Sequence, residues 1–480
     1  MFLNYLLFII ILNIINFSKN QKLIFAEIHF RHGARSPTKL DENGTDALGV
    51  KWSAPGELTA VGKRMHYLLG LRNRKRYINR EDNFLSEQYD PHEILIFSSN
   101  VNRTIQSVGA QIQGFYPSSP DELSAEQYKT AVPPINFDGI ENETNKLNES
   151  ALPNYMTILP IHHISFTNSS INCTEKVRAH FLNNLNTTPT LLSYVDEFNK
   201  NFREKLNIYL NFTEDHVFNF STPMGLCDSL IAEEAEKKDN SEYFQKTKID
   251  KDSLVQSCLR ALTINFRDIY HGDTNKELVR YYSSYLLREM SNRMKRRVDD
   301  DIQGDISKQN SSDYSRPKMI FISGHDTSLS AQEMFFIRFL DLPLEETYIL
   351  PTFASQITYE ITRKEVEDNE RSKLKYSDYT VKYFFNDKLI FSKKLDEFLE
   401  LIDNNTWDLN QIISFCHVEQ VQTKPVDTSM IIIIFMAIII LILIIVIIIL
   451  ALKLKGKTEI TVLDDKNDGN ERIINDDEDN

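Results

Sequence analysis

The chain has 480 residues, more than one simple core holds, so two folded units are expected. It carries 54 Lys and Arg against 68 Asp and Glu, a net charge of −14, which speaks against nucleic acid as a partner and against long-range capture of anions. Any phosphate site must then be a local positive pocket in a negative molecule.

Residues 1–20 read as an export signal, with an apolar run over 6–15 and Ser18 near a plausible cleavage point. Residues 23–30 are apolar and rich in β-formers, which predicts a buried strand. It runs into Arg31-His32-Gly33-Ala34-Arg35-Ser36-Pro37, where Gly33 and Pro37 break it. In open α/β sheets ligands bind at that carboxyl end. Two guanidinium groups at close spacing suit an anion, most naturally a phosphate. A histidine between them can attack it. A solvated basic turn explains these residues equally well on their own, so the rest of the chain must decide.

Residues 63–77 follow as a helix whose apolar positions, Met65, Leu68 and Leu69 among them, are expected to give one buried face. Residues 94–97 form a second short strand. Ser98-Ser99-Asn100 can cap the next helix, which carries Arg103, Val108, Ile112 and Phe115. From about 120 to 316 strand-like runs give way to helical stretches at 191–210 and 278–298 and a polar linker at 299–316. The α/β texture resumes with a strand at 318–322, which ends in Ser323-Gly324-His325-Asp326-Thr327, and a helix at 328–340. Residues 355–361 and 379–385 alternate as antiparallel strands do, and 395–402 form a short amphipathic helix.

Residues 418–429 read as a stalk. Residues 430–452 are apolar throughout, long enough to cross a hydrocarbon core of roughly 30 Å. Lys453, Lys455 and Lys457 place the polar tail, 453–480, in the cytosol. The expected product is a single-pass membrane protein with a lumenal or extracellular catalytic region. Sequons at Asn43, Asn102, Asn142, Asn148, Asn168, Asn172, Asn186, Asn211, Asn219, Asn310 and Asn404 fit a glycosylated exported region. Cys173, Cys227, Cys258 and Cys416 suggest two disulfides, with three connectivities open. Their spacing matches no zinc pattern. His29 reads as a buried strand histidine, His162-His163 as a loop pair, and Trp52 and Trp407 as packing residues.

Three strand-to-loop junctions carry the chemistry: Arg31, His32 and Arg35; Arg103; His325 and Asp326. If their strands share one parallel sheet, all three face one edge. On these residues the chain resembles the histidine acid phosphatase family, the RHGxRxP branch of the histidine phosphatase superfamily, including its membrane-anchored lysosomal-type members. The matching stretches are residues 30–37, Leu58-Thr59 with Gly62, Ser98-Ser99 through Arg103-Thr104, and Gly324 through Thr327.

The resemblance implies an α/β fold: a central, mainly parallel sheet flanked by helices, phosphoglycerate mutase-like, with a mainly helical inserted cap domain and one C-terminal transmembrane helix. The core then spans 22–118 and 316–417, and the cap 119–315. It implies an acid phosphatase that hydrolyses phosphate monoesters through a phosphohistidine. His32 is the nucleophile and Asp326 the proton donor. Arg31, Arg35, Arg103 and His325 hold the phosphoryl oxygens. No metal or cofactor is implied. A phytase-type inositol phosphate phosphatase is the near alternative, and an inactive phosphatase-like surface binding protein the distant one. The implied disulfides are Cys173 with Cys416 and, less directly, Cys227 with Cys258. The implied partners are a phosphate monoester and a membrane, with no nucleic acid and a homodimer left open. The setting is a lysosome-like compartment or the cell surface. A glycan on Asn102 would obstruct a pocket lined by Arg103, so that sequon is expected to stay unmodified.

Overall fold

Gln21–Arg31, strand β1, is buried along almost its whole length, as a central strand covered on both faces must be. The computed structural model describes residues 21–416 apart from 79, 81, 119–121, 136–137, 166–172, 174–175, 180–181, 183–186, 211 and 305–316. The export signal, stalk, apolar run, tail and the sequons at Asn168, Asn172, Asn186, Asn211 and Asn310 lie outside these residues. The described residues fall within one compact unit, Met1–Val418.

After β1 come helix α1 (Ala60–Tyr77), strand β2 (Ile94–Ser98) and helix α2 (Asn102–Phe115). A two-residue strand β3 (His162–His163) precedes helices α3 (Pro189–Leu210), α4 (Ser221–Glu236), α5 (Lys251–Thr263) and α6 (Glu277–Ile302). Strand β4 (Met319–Gly324), helix α7 (Asp326–Phe339), strands β5 (Gln356–Lys364), β6 (Tyr379–Phe385) and β7 (Lys388–Lys394), and helices α8 (Leu395–Asn405) and α9 (Leu409–Cys416) complete the order.

The sheet runs β3-β2-β4-β1-β5-β6-β7. It is parallel from β3 to β1 and antiparallel from β1 to β7. The mainly parallel sheet expected from the sequence is therefore corrected to a mixed one. Half of its pairings are antiparallel: β1/β5 and β5/β6, made by the strands whose alternation already suggested it, and β6/β7, where Asn386 and Asp387, both at positive φ, make a two-residue hairpin that returns the chain as β7. That strand, Lys-Leu-Ile-Phe-Ser-Lys-Lys, is largely exposed and carries too little apolar alternation to read as a strand. His162-His163 is an exposed edge strand parallel to β2 rather than a loop pair.

The C-terminal transmembrane helix is also corrected. No helix among the described residues is long and apolar enough to cross a membrane, and 430–452 lies outside them. The fold that stands is a mixed α/β sheet with helices on both faces.

Alternation along the central strands builds two cores. Ala26, Ile28 and Phe30 of β1 join Met319 and Phe321 of β4 beneath Val108, Ile112 and Phe115 of α2. Ile320 and Ile322 face the other way, under α6, α7 and α8. The helical segment has its own cluster, in which Tyr194, Phe198 and Phe202 of α3 meet Leu226, Leu230, Leu254 and Ala261. Cys227 is bonded to Cys258 between α4 and α5, and Cys173 to Cys416.

Helix α6 is tied to the sheet by buried charge. Arg293 donates to both Glu27 carboxylate oxygens, at 2.9 and 2.6 Å, and Glu27 also meets His29 Nε2 at 2.6 Å. Burial works to raise the Glu27 carboxyl, but Arg293 and His29 outweigh it and hold it at about 2. Its contribution is thus present above the ordinary carboxylate range and lost only as pH falls toward 2. Arg293→Ala strands that carboxylate and is expected to cost about 3–5 kcal/mol, read as a lower denaturation midpoint. An unchanged midpoint would show that the pair holds nothing together.

Candidate active site

The parallel register sets three strand ends level. Arg31 lies opposite Gly324 across β1/β4, and Ser98 opposite Ser323 across β2/β4. All three loops leave one edge, which brings the three junctions together.

The first loop is locked by backbone contacts. His32 N donates to Gly324 O at 3.0 Å, and Ala354 N donates to His32 O at 3.1 Å. Gly33 presses on Gly62 in the first turn of α1, and a Cβ on either would meet backbone. Thr59 caps α1 through Gly62 N, while its own N donates to Ala34 O at 3.0 Å. Ser107 on α2 accepts from Gly33 N at 3.1 Å.

His32 is 2% exposed, and its Nδ1 lies 2.9 Å from Gly33 O. A carbonyl can only accept, so Nδ1 carries the proton and the lone pair is on Nε2. Burial, then the charges of Arg31, Arg35 and Arg103, hold this imidazole well below the ordinary histidine value. Arg31 donates to Pro351 O at 2.8 Å and pairs with Asp326 Oδ2 at 2.7 Å. Arg35 donates to Ser36 O at 2.9 Å and to Asp228 Oδ1 at 2.7 Å. Arg103 stands in the first turn of α2. The Nε groups of Arg31, Arg35 and Arg103 are all buried without a hydrogen-bond partner.

His325 caps the entry to α7, its Nε2 3.1 Å from Ser99 Oγ and its ring centroid 5.6 Å from that of His32. Burial, then Arg103, push it down to about 4. Asp326 is the first residue of α7, where the sequence suggested a start two residues later. Its Oδ1 accepts from Thr327 N at 2.8 Å. Every sequence-predicted site residue therefore reaches one place. It holds a neutral imidazole with a free lone pair, three guanidiniums and a carboxyl group, which together suit capture of a tetrahedral anion and attack on it.

Two neighbours were not foreseen. Asp228 on α4 accepts from Arg35 Nη2 and from the N and Oγ1 of Thr38, each at 2.7 Å. Burial works to raise its carboxyl, but the charge and hydrogen bonds of Arg35 and Thr38 outweigh it and leave it low. An acid in a helical insertion gives no sequence signal of this contact. Phe353, between α7 and β5, lies under Arg31.

His29 is buried beside Glu27, and His66 is buried with Nδ1 3.0 Å from Gln111 Oε1. Trp52 Nε1 donates to Asp46 at 2.7 Å, and Trp407 packs on Phe415.

Asn102 Nδ2 donates to Glu57 Oε1 at 2.9 Å, next in the chain to Arg103. Peptide-level glycan mapping is expected to find Asn102 unmodified. A glycan there would place sugar beside Arg103 and count against the pocket.

The model of the histidine phosphatase superfamily (branch 2) matches residues 22–386. Lysosomal acid phosphatase of Xenopus laevis is 32% identical over 118 residues, 25% of this chain and 26% of that protein. Prostatic acid phosphatase of Bos taurus is 33% identical over 104 residues, 22% of this chain and 25% of that protein. The chain thus spans about a quarter of the length of these curated relatives. Among solved structures, a Citrobacter braakii phytase covers 82% of this chain and 99% of its own, with TM-score 0.52 at 15% identity. A Hafnia alvei phytase in complex with myo-inositol hexakis sulphate covers 83% and 99%, with TM-score 0.51 at 14% identity. Identities this low show the fold alone.

Proposed function

The chain belongs to the histidine phosphatase superfamily (branch 2), and from that premise we propose that it is an acid phosphatase, hydrolysing phosphate monoesters through a phosphohistidine. The observation that carries this reading is the set of three buried, unpaired guanidinium Nε groups around a histidine whose Nε2 is free. Phosphoryl transfer spreads negative charge over three equatorial oxygens, so fixed cations are its main catalytic need.

In the first step His32 Nε2 attacks phosphorus and the ester P–O bond breaks. Arg31, Arg35, Arg103 and His325 hold the phosphoryl oxygens, and Asp326 gives its proton to the departing alkoxide. In the second step water attacks phosphorus, Asp326 takes a proton from it, and the P–N bond breaks to release phosphate. Charge comes from the protein throughout.

The depressed His32 also sets the working range. Histidine loses its charge above its pKa, so a lowered pKa keeps the nucleophile neutral in acid, where an ordinary imidazole is protonated. That favours an acidic lumen, and the named lysosomal relative supports a lysosomal-type setting. Assay of the full chain on an aryl phosphate from about pH 4 to about pH 8, with no metal added, tests this. Turnover is expected, with the acid limb of kcat/KM well below the ordinary histidine value of 6.5. No turnover at any pH would sink the enzyme reading and favour a surface binding protein.

Asp228 bears on substrate choice. The α4 side chain that reaches Arg35 is an acid, where a polyphosphate would call for Lys or Arg. Simple monoesters are therefore favoured over inositol hexakisphosphate. A higher kcat/KM on the latter would reverse that order and support the phytase reading.

A further inference from the structure

We propose that Phe353 is a positioning residue of the phosphoryl site, its ring being the surface against which the Arg31 and Arg35 guanidiniums are set. This rests on the phosphatase reading above. Arg31 Cζ stands 4.5 Å from the ring centroid and Arg35 Cζ 5.9 Å. The His32 ring centroid is also 5.9 Å away. One ring thus adjoins the nucleophile and two of the three arginines.

The physics favours a real interaction. A cation is drawn to the negative face of an aromatic ring, and more strongly when water is excluded. Arg31 and Arg35 are only 6% and 8% exposed. They are like charges at close range, and a ring face beside both offsets part of that cost. Their hydrogen bonds to the protein use the Nη groups. Such bonds act in the guanidinium plane, whereas the ring can restrain tilt out of it. Nε, buried without a hydrogen-bond partner in both arginines, moves with that tilt.

The backbone of the same segment is committed to the site. Pro351 O accepts from Arg31 Nη1 at 2.8 Å, Ser355 O from Arg31 N at 2.9 Å, and Ala354 N donates to His32 O. Ala354 has φ +61°, a left-handed conformation that alanine rarely adopts. Such strain persists where the surroundings over-determine it, and it clusters at functional sites. Here it accompanies a turn that puts the ring beside the arginines and the next N–H on the His32 carbonyl.

The test weakens the negative potential of the ring face while nearly keeping the ring's shape. Phe353 is replaced in the full chain by monofluoro- and trifluorophenylalanine, with Phe353→Tyr and Phe353→Leu beside them. The readouts are kcat/KM on an aryl phosphate and Ki for inorganic phosphate. Stepwise loss of kcat/KM with fluorination is expected, with a parallel rise in Ki. Phe353→Tyr should stay within about two-fold of the parent and Phe353→Leu should lose about ten-fold or more. A flat fluorination series in folded, active enzyme would overturn the proposal, because the ring would then only pack. Should Phe353→Leu fail to fold, the fluorinated series still decides. A parent that turns over no monoester would defeat the phosphatase reading instead. Calorimetric binding of inorganic phosphate across the series would then decide the role of the ring.

Discussion

Replacing His32 with alanine is expected to abolish turnover, with a loss of at least about ten-thousand-fold, the scale reached when a covalent nucleophile is removed. The reason lies in the tautomer. Nδ1 is committed to Gly33 O, so Nε2 is the one ring nitrogen that can attack. Among the described residues, His325 is the one other histidine whose ring contacts that of His32, and its Nε2 faces Ser99. Rapid quenching of the parent with a labelled monoester should trap a phosphoenzyme that is labile in acid and stable in base, as a phosphoramidate is. His32→Ala should show none, yet should still bind inorganic phosphate, because the three arginines remain. Turnover within a hundredth of the parent, or label on another residue, would end the covalent assignment.

Much of this site was legible because its chemistry sits at strand ends. An apolar run, then Arg-His-Gly, then Pro announces both the strand and the break. His325-Asp326 repeats the pattern after β4. What sequence could not supply was the pairing of charges. Arg31 with Asp326 joins residues that meet only because β1 and β4 are neighbours in the sheet. Arg35 with Asp228 needs α4 to fold back onto the catalytic loop. Phe353 was passed over for a related reason: one aromatic in a loop is unremarkable until a strained alanine turns the chain beside it. The fold shows the same division. Strands buried on both faces, β1 and β4, stand out by composition, whereas the exposed edges β3 and β7 do not, because position and not apolar content makes them strands.

Asp326→Ala should separate proton donation from anion binding. Loss of the general acid is expected to lower kcat on an alkyl phosphate by about a hundred-fold or more. An aryl phosphate should lose less, because its leaving group departs with little need of a proton. Binding should move the other way. Asp326 Oδ2 is 2.7 Å from Arg31 Nη2, so the carboxylate occupies a donor that a phosphoryl oxygen could use. Removing it frees Arg31, and Ki for inorganic phosphate should hold or fall. A mutation that merely loosened the pocket would raise Ki, lowering kcat/KM equally for both substrates. Asp326→Asn sharpens the distinction, since an amide can keep a hydrogen bond to Thr327 N but cannot pass a proton to the leaving group. If Asn matches Ala in rate, the proton is what matters at this position. If Asn restores the parent rate, Asp326 acts by geometry, and the alcohol must draw its proton from elsewhere.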